Sequence, residues 1–155
     1  TARESILIAN AYFIPDRRFY SALIRAARRG VKVILLLPGK TDVPMAKWAG
    51  MYLYRKYLRS GIRVFEYEAS VLHTKTAVID GIWSTVGSSN LDRRSMRHNL
   101  ELNAVILDQE FGEQMERVFF KDLKSAREIT LHAHERRSIA TFFREWFWYR
   151  FRNFL

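Results

Sequence analysis

The sequence predicts an α/β domain: a mostly parallel central β-sheet flanked by helices, followed by a C-terminal amphipathic aromatic helix. Three observations carry this. Strand and helix patterns alternate through the first 67 of its 155 residues, the order of a parallel sheet. Residues 31–37 are an almost unbroken apolar run, as expected of a strand covered on both faces. From Ser138 onward, large aromatic residues recur at helical spacing.

The elements follow in order. Residues 5–9 form a short apolar strand. Asp16 is placed to cap a helix whose apolar stripe is Phe19, Leu23, Ala26 and Ala27, and Gly30 ends it. Residues 31–37 are the second strand, broken by Pro38-Gly39. A helix over residues 44–59 runs to Ser60-Gly61, and residues 62–67 are the third strand. Residues 71–79 are rich in β-branched and apolar side chains and read as a strand. Asp80-Gly81 is a hairpin turn signal, and residues 82–86 form the returning arm. Residues 99–107 alternate, with Asn99, Glu101 and Asn103 on one face and Leu100, Leu102 and Ala104 on the other. A helix over residues 109–123 follows. No internal repeat, linker or low-complexity tract interrupts this order, so one domain is expected.

The motif region carries the chemistry. His73-Thr74-Lys75, Asp80 and Gly87-Ser88-Ser89-Asn90 spell H-x-K-x4-D-x6-G-S-x-N. On a strand His73 and Lys75 project from the same face. Neutral imidazole is a competent nucleophile toward phosphorus near neutral pH. An ammonium beside it can hold a phosphate oxygen and offset the charge that grows in the transition state. Ser88 and Asn90 add donors on a loop whose small residues admit close backbone approach to an anion. Strand parity points Asp80 to the other face, so it is expected to organise the turn and the surroundings of the site. Glu101 is expected to accept from the His73 ring N–H and fix its tautomer.

Composition narrows the partners. The net charge is +10, with 48% apolar and 27% charged residues and no cysteine. A disulfide framework and a thiolate metal site are thereby excluded. His132 and His134 stand two apart without obvious carboxylate partners, so no metal is expected. The basic balance suits polyanions, either nucleic acid or anionic lipid headgroups. Within these 155 residues no run of about 20 apolar residues reads as a membrane span and no stretch reads as a secretory signal.

The motif resembles the HKD signature of the phospholipase D superfamily, and His73, Lys75, Asp80, Gly87, Ser88 and Asn90 match it without departure. Asn90-Leu91-Asp92-Arg93-Arg94-Ser95, Asn99-Leu100-Glu101, the stretch 108–131 and Asn10-Ala11-Tyr12-Phe13-Ile14-Pro15 look like the bacterial cardiolipin synthase branch. The resemblance implies a phospholipase D-like half. It implies a catalytic set of His73, Lys75, Asp80 and Glu101, with Lys75, Ser88 and Asn90 on the substrate phosphate, and chemistry without metal or cofactor. It also implies a second copy of the motif, whose His protonates the leaving alcohol. This chain has one copy and starts at Thr1, so it is expected to be the C-terminal half of a longer enzyme. The N-terminal half, or a second copy as in small single-motif nucleases, would supply the other His.

Residues 1–131 are accordingly read as the catalytic domain and 132–155 as a basic aromatic segment. In that segment helical spacing aligns Ile139, Phe142, Phe143, Trp146, Phe147 and Phe154, with Arg150 inside the stripe. Such a helix either lies in a bilayer interface or packs on protein. Residues 41–57 group Met45, Trp48, Met51, Tyr52 and Tyr54, as a helix packed on the sheet or as an acyl-chain or interdomain contact. Asp92, Arg93, Arg94 and Arg97 either meet phosphate or form a solvated, salt-bridged face. The expected function is phosphatidyl transfer of cardiolipin synthase type, forming cardiolipin from phosphatidylglycerol and a second phospholipid through a phosphohistidine, at the cytoplasmic side of the bacterial inner membrane. The alternatives are a phospholipase D, a homodimeric nuclease, or a non-catalytic membrane- or nucleic-acid-binding domain.

Overall fold

The computed structural model describes residues 1–154, apart from the side chain of Arg97. Seven strands form one sheet in the order β6-β5-β4-β1-β2-β3-β7. They are β1 (Ser5–Asn10), β2 (Lys32–Lys40), β3 (Arg63–Val71), β4 (Lys75–Ile79), β5 (Trp83–Gly87), β6 (Asn103–Leu107) and β7 (Ala126–Ile129). The helices are α1 (Arg17–Arg28), α2 (Pro44–Met51), α3 (Tyr54–Leu58), α4 (Arg93–Arg97), α5 (Gln109–Leu123), α6 (Leu131–Glu135) and α7 (Ile139–Arg150), with a final 3-10 turn, Arg152–Phe154.

The sheet is mixed, which corrects the expectation of a mostly parallel one. Only β1–β2 and β2–β3 are parallel; the other four ladders are antiparallel. The cause is connection length. α1 and the α2–α3 pair are crossovers long enough to return the chain to the same end of the sheet. The link over residues 72–74 is too short for that, so β4 leaves from the end where β3 stops and runs antiparallel to β1. The Asp80-Gly81 turn then folds β5 back, with both residues at positive φ (54° and 64°) and Ile82 N–H donating to Ile79 C=O. That is the hairpin geometry the dipeptide favours.

The parallel strands are buried on both faces. Ile6, Ile8, Val33, Leu35 and Val64 meet Leu23, Leu53 and Tyr57 on one side. Leu7, Ile34, Leu36, Phe65 and Val78 meet Phe119 of α5 on the other. Asp16 and Asp108 cap α1 and α5 through the N–H groups of Phe19 and Phe111, both 2.8 Å.

Other expectations shift by a few residues. β2 continues through Pro38 because its ladder with β1 has ended at Leu36, while the Tyr67 side remains paired; proline is tolerated where no N–H is required. The helix expected over 44–59 divides at Tyr52-Leu53, where Leu53 N–H bonds back to Gly50 C=O. Residues 71–79 are not one strand: β3 ends at Val71, and His73 lies in the link. β6 starts only at Asn103, so Leu100 and Leu102 stand open to solvent.

Candidate active site

The site lies at the carboxyl ends of the three parallel strands. Tyr12 follows β1, Asp42 follows β2 and His73 follows β3. The strand order reverses here, because β1 is flanked by β2 on one side and by β4 on the other. Ligands of open α/β sheets bind at such a switch point. Lys75 begins β4 and pairs in register with Asn10 of β1.

His73 and Lys75 are in contact. The Lys75 ammonium stands 2.8 Å from His73 Nδ1, 3.2 Å from Nε2, and 2.8 Å from the His73 carbonyl oxygen, to which it donates. Burial lowers the Lys75 pKa, while Glu101, Asp42 and Asp92 draw it back up. Three carboxylates therefore stand near enough to Lys75 for their charge to be felt there.

Glu101 takes other partners than expected. Its carboxylate accepts from Ser88 Oγ and, at 3.2 Å, from Asn99 Nδ2. Chiefly the Ser88 bond lowers its pKa, with smaller contributions from Asn99, Ser95 and Lys75. Among the described residues no hydrogen bond joins Glu101 to His73, which corrects that expectation. The reason is local: Leu102 N–H donates to Ser88 Oγ at 3.1 Å, and Ser88 N–H donates to Leu102 C=O at 3.0 Å. Glu101 is thus laid along the serine loop. Gly87 makes this possible, because a Cβ there would overlap Asn103 Oδ1 and the Leu102 carbonyl.

Asp80 lies away from the site. It stands five residues from Lys75, in the turn just past the end of β4, about 16 Å away at strand rise. Its carboxylate accepts from the backbone N–H groups of Arg3, Glu4 and Ser5 at 2.8, 2.8 and 2.9 Å. Burial pushes its pKa up, but these three bonds outweigh it and the net shift is downward. Its catalytic assignment is corrected to an anchor for the start of β1.

Tyr12 and Asp42 were not among the expected site residues. The Tyr12 hydroxyl donates to Asp42 Oδ1 at 2.7 Å, and its ring meets the His73 ring edge-on with centroids 6.3 Å apart. Burial and the Asp42 carboxylate push the Tyr12 pKa up to about 12. The bond from Tyr12 lowers the Asp42 pKa, with a smaller contribution from His73. Their position after β1 and β2 was the signal that could have found them.

The loop after β5 completes the site. Asn90 Oδ1 is buried without a hydrogen-bond partner among the described residues. Asp92 caps α4 through Ser95 N–H at 2.7 Å, and burial raises its pKa. Arg93 and Arg94 are exposed; the Arg97 side chain lies outside the described residues. Beside the loop, a cleft of about 390 Å³ is lined by Lys75, Asn10, Ser89 and Asn103 together with apolar side chains such as Ile8 and Leu23. No group of three or more His, Asp or Glu among the described residues is arranged to hold a metal.

Trp148 against Trp48 and Tyr149 stacked on Tyr52 hold the C-terminal segment against the domain, and an ion pair braces the segment internally. Glu145 is fully buried and pairs with Arg137 at 3.1 Å. Nearby His134 is buried, and its pKa is pushed down to about 4, chiefly by that burial.

The fold is the one seen in phospholipase D-like proteins. The phospholipase D family member Nuc from Salmonella typhimurium superposes with a TM-score of 0.72 at 24% identity, covering 84% of each chain. Phosphatidylserine synthase from Haemophilus influenzae Rd KW20 gives 0.74 at 14% identity, covering 99% of this chain and 42% of that one. The family model described as "Cardiolipin synthase, PLD-like domain" matches residues 1–123, and the chain belongs to that family. Cardiolipin synthase B of Escherichia coli (strain K12) is 46% identical over 114 residues, 74% of this chain and 28% of that protein. Cardiolipin synthase of Staphylococcus aureus (strain N315) is 38% identical over 145 residues, 94% of this chain and 29% of that protein. The chain thus spans less than a third of the length of these curated relatives.

Proposed function

We propose that this chain is the C-terminal catalytic half of a phosphatidyl transferase of cardiolipin synthase type. The observation that carries the reading is the Lys75 ammonium 2.8 Å from His73 Nδ1 at the switch point of the sheet. A His73 ring nitrogen attacks the phosphorus of phosphatidylglycerol. The P–N bond forms, the P–O bond to glycerol breaks, and the departing oxygen takes a proton from the His of a second motif. A hydroxyl of another phosphatidylglycerol then gives its proton to that His and attacks the phosphohistidine, breaking the P–N bond. Lys75 holds a non-bridging oxygen through both steps, and Ser88 and Asn90 contribute donors. Exclusion of water favours transfer over hydrolysis.

The second motif comes from the other half of the same enzyme or from a second copy. Leu100 and Leu102, bare on either side of Glu101, support a partner that closes over this rim. The protein works at the periphery of the bacterial inner membrane, on its cytoplasmic side. Among the described residues no helix is long and apolar enough to cross a membrane.

The test is an assay of the full-length protein on phosphatidylglycerol vesicles and, separately, on DNA. Cardiolipin with release of glycerol, and intact DNA, is the expected result. Phosphatidic acid in place of cardiolipin would make it a hydrolase, and cut DNA a nuclease; either overturns the reading.

A further inference from the structure

The last helix presents two unlike faces. Its inner face is polar and aromatic: Glu145 pairs with Arg137, Tyr149 stacks on Tyr52 with centroids 4.5 Å apart, and Trp148 meets Trp48 at 6.4 Å. Its outer face carries Ile139, Phe142, Phe143, Trp146 and Phe147, and Phe151 and Phe154 follow just past its end, each at least 41% exposed. The five positions on the helix recur at three- and four-residue intervals and lie along one side of it. An uninterrupted row of this kind exceeds the scattered exposed apolar side chains normal for a protein surface.

The charge on this face selects its occupant. Glu145 is the only acid between Ile139 and Phe154, and it is fully buried. The exposed surface of the helix therefore carries Arg144 and Arg150 with no carboxylate among them. Arg144 lies over the Trp48 ring at 4.4 Å, so its charge is held at the margin of the aromatic row. Aromatic rings and arginine without acid match the interfacial zone of an anionic bilayer.

The row is also joined to the catalytic rim. At its far end Asn153 Oδ1 accepts from Arg93 Nη1 at 2.8 Å, and Arg93 opens α4, just after the serine–asparagine loop. A surface that holds this helix also sets the height of the loop above it.

We propose that the outer face of α7 is a docking surface for an anionic lipid bilayer. It seats the site against the membrane that holds its substrate. The proposal rests on the transferase reading for its purpose but not for its physics. The partner is the bilayer surface itself, distinct from the lipid molecule in the active site.

The test uses the full-length protein and the triple variant Phe143→Ala/Trp146→Ala/Phe147→Ala. Co-sedimentation is measured with phosphatidylglycerol vesicles and with phosphatidylcholine vesicles. Turnover is measured on vesicles and on detergent-dispersed phosphatidylglycerol. The expected result is at least tenfold weaker partitioning to anionic vesicles and an equal loss of vesicle turnover, with detergent-dispersed turnover unchanged. Unchanged partitioning overturns the proposal. So does intact partitioning combined with dissociation of the protein on a sizing column or lost binding of single-stranded DNA, since the face would then serve a protein or a nucleic acid.

A second measurement does not depend on the folding of that variant. Brominated acyl chains in phosphatidylglycerol vesicles are expected to quench tryptophan emission of the wild-type protein, and Trp146→Phe is expected to remove more than half of that quenching. Equal quenching in both proteins overturns the proposal. Vesicle binding by α7 without any transferase activity would overturn the proposed function and leave this inference standing.

Discussion

The two sides of the sheet differ in kind. On one side, β1, β2 and β3 are joined by helical crossovers and packed from both faces; Leu35 and Ile34 are fully buried. On the other, β4, β5 and β6 form an antiparallel meander, tightly turned at Asp80-Gly81 and joined through the serine loop and α4, whose outermost strand exposes Val105 and Leu107. The His73–Lys75 pair stands on the seam: His73 belongs to the link that joins the two sides, and Lys75 to the first strand beyond it. The well-packed side fixes where the strand ends lie, and the open side brings the serine loop and Glu101 to meet them. Precision comes from one side and accessibility from the other.

The largest test of this division removes the seam itself. His73→Ala is expected to lower turnover of the full-length protein by about 10⁴-fold or more. It is also expected to abolish the alkali-stable labelled phosphorus trapped on the wild-type protein during turnover. Retained label on the variant would move the nucleophile elsewhere. On the packed side, Leu35→Ala is expected to cost about 2–5 kcal/mol in urea unfolding, through lost burial and the cavity left behind. A cost below 1 kcal/mol would mean the parallel core is looser than its burial implies.

At the boundary, Gly87→Ala places a methyl group against the Asn103 side chain and the Leu102 carbonyl. We expect a loss of about 1–3 kcal/mol from overpacking, together with a fall in kcat as Glu101 and Ser88 are pushed apart. A variant with full stability and full kcat would show that β6 yields there freely.

Asp80→Asn keeps a residue that tolerates positive φ but loses charge-assisted acceptance from three N–H groups. Its expected cost is about 1 kcal/mol at neutral pH, with kcat intact. Because the folded-state pKa is lowered, this contribution is complete above the ordinary aspartate range and lost as pH falls through the folded value. The stability gap between wild type and variant should therefore close in acid, and a gap constant with pH would deny the anchor its charge. Smallest of all, Leu107→Ala on the exposed edge is expected to change stability by less than about 0.5 kcal/mol. A larger loss would mean the isolated chain already buries that edge.

Much of this division was legible in the sequence, for reasons that are local. Asp16 before an amphipathic stripe, the apolar run of β2 and the Asp80-Gly81 turn each act within a few residues, and each was read correctly. What stayed hidden depends on distant partners. β7 is only Ala-Arg-Glu-Ile, and it pairs with β3 through Arg63–Glu128 and Arg127–Glu66, contacts that no apolar period announces. Tyr12 and Asp42 meet only because β1 and β2 end side by side. The stripe on α7 was visible, but its direction was not. The helix turns Glu145 inward because Arg137 is there to receive it, and the aromatic side is left outside. In the motif, spacing put His73 beside Lys75, and they do meet. Strand parity, extended through the link, failed to foresee that Glu101 would turn to Ser88.

The three-residue link that carries His73 has a consequence for how the molecule can be rearranged. It ties the crossover side directly to the meander, while the chain returns by way of α5 to β7, and it bears the His73 imidazole. A circular permutant or a split protein opened there would lose the imidazole's placement together with the tether. Opening at Asp80-Gly81 instead would leave the imidazole and the ammonium on one continuous strand of polypeptide. An insertion in the 72–74 link is therefore expected to disturb the His73–Lys75 contact more than one at the far turn.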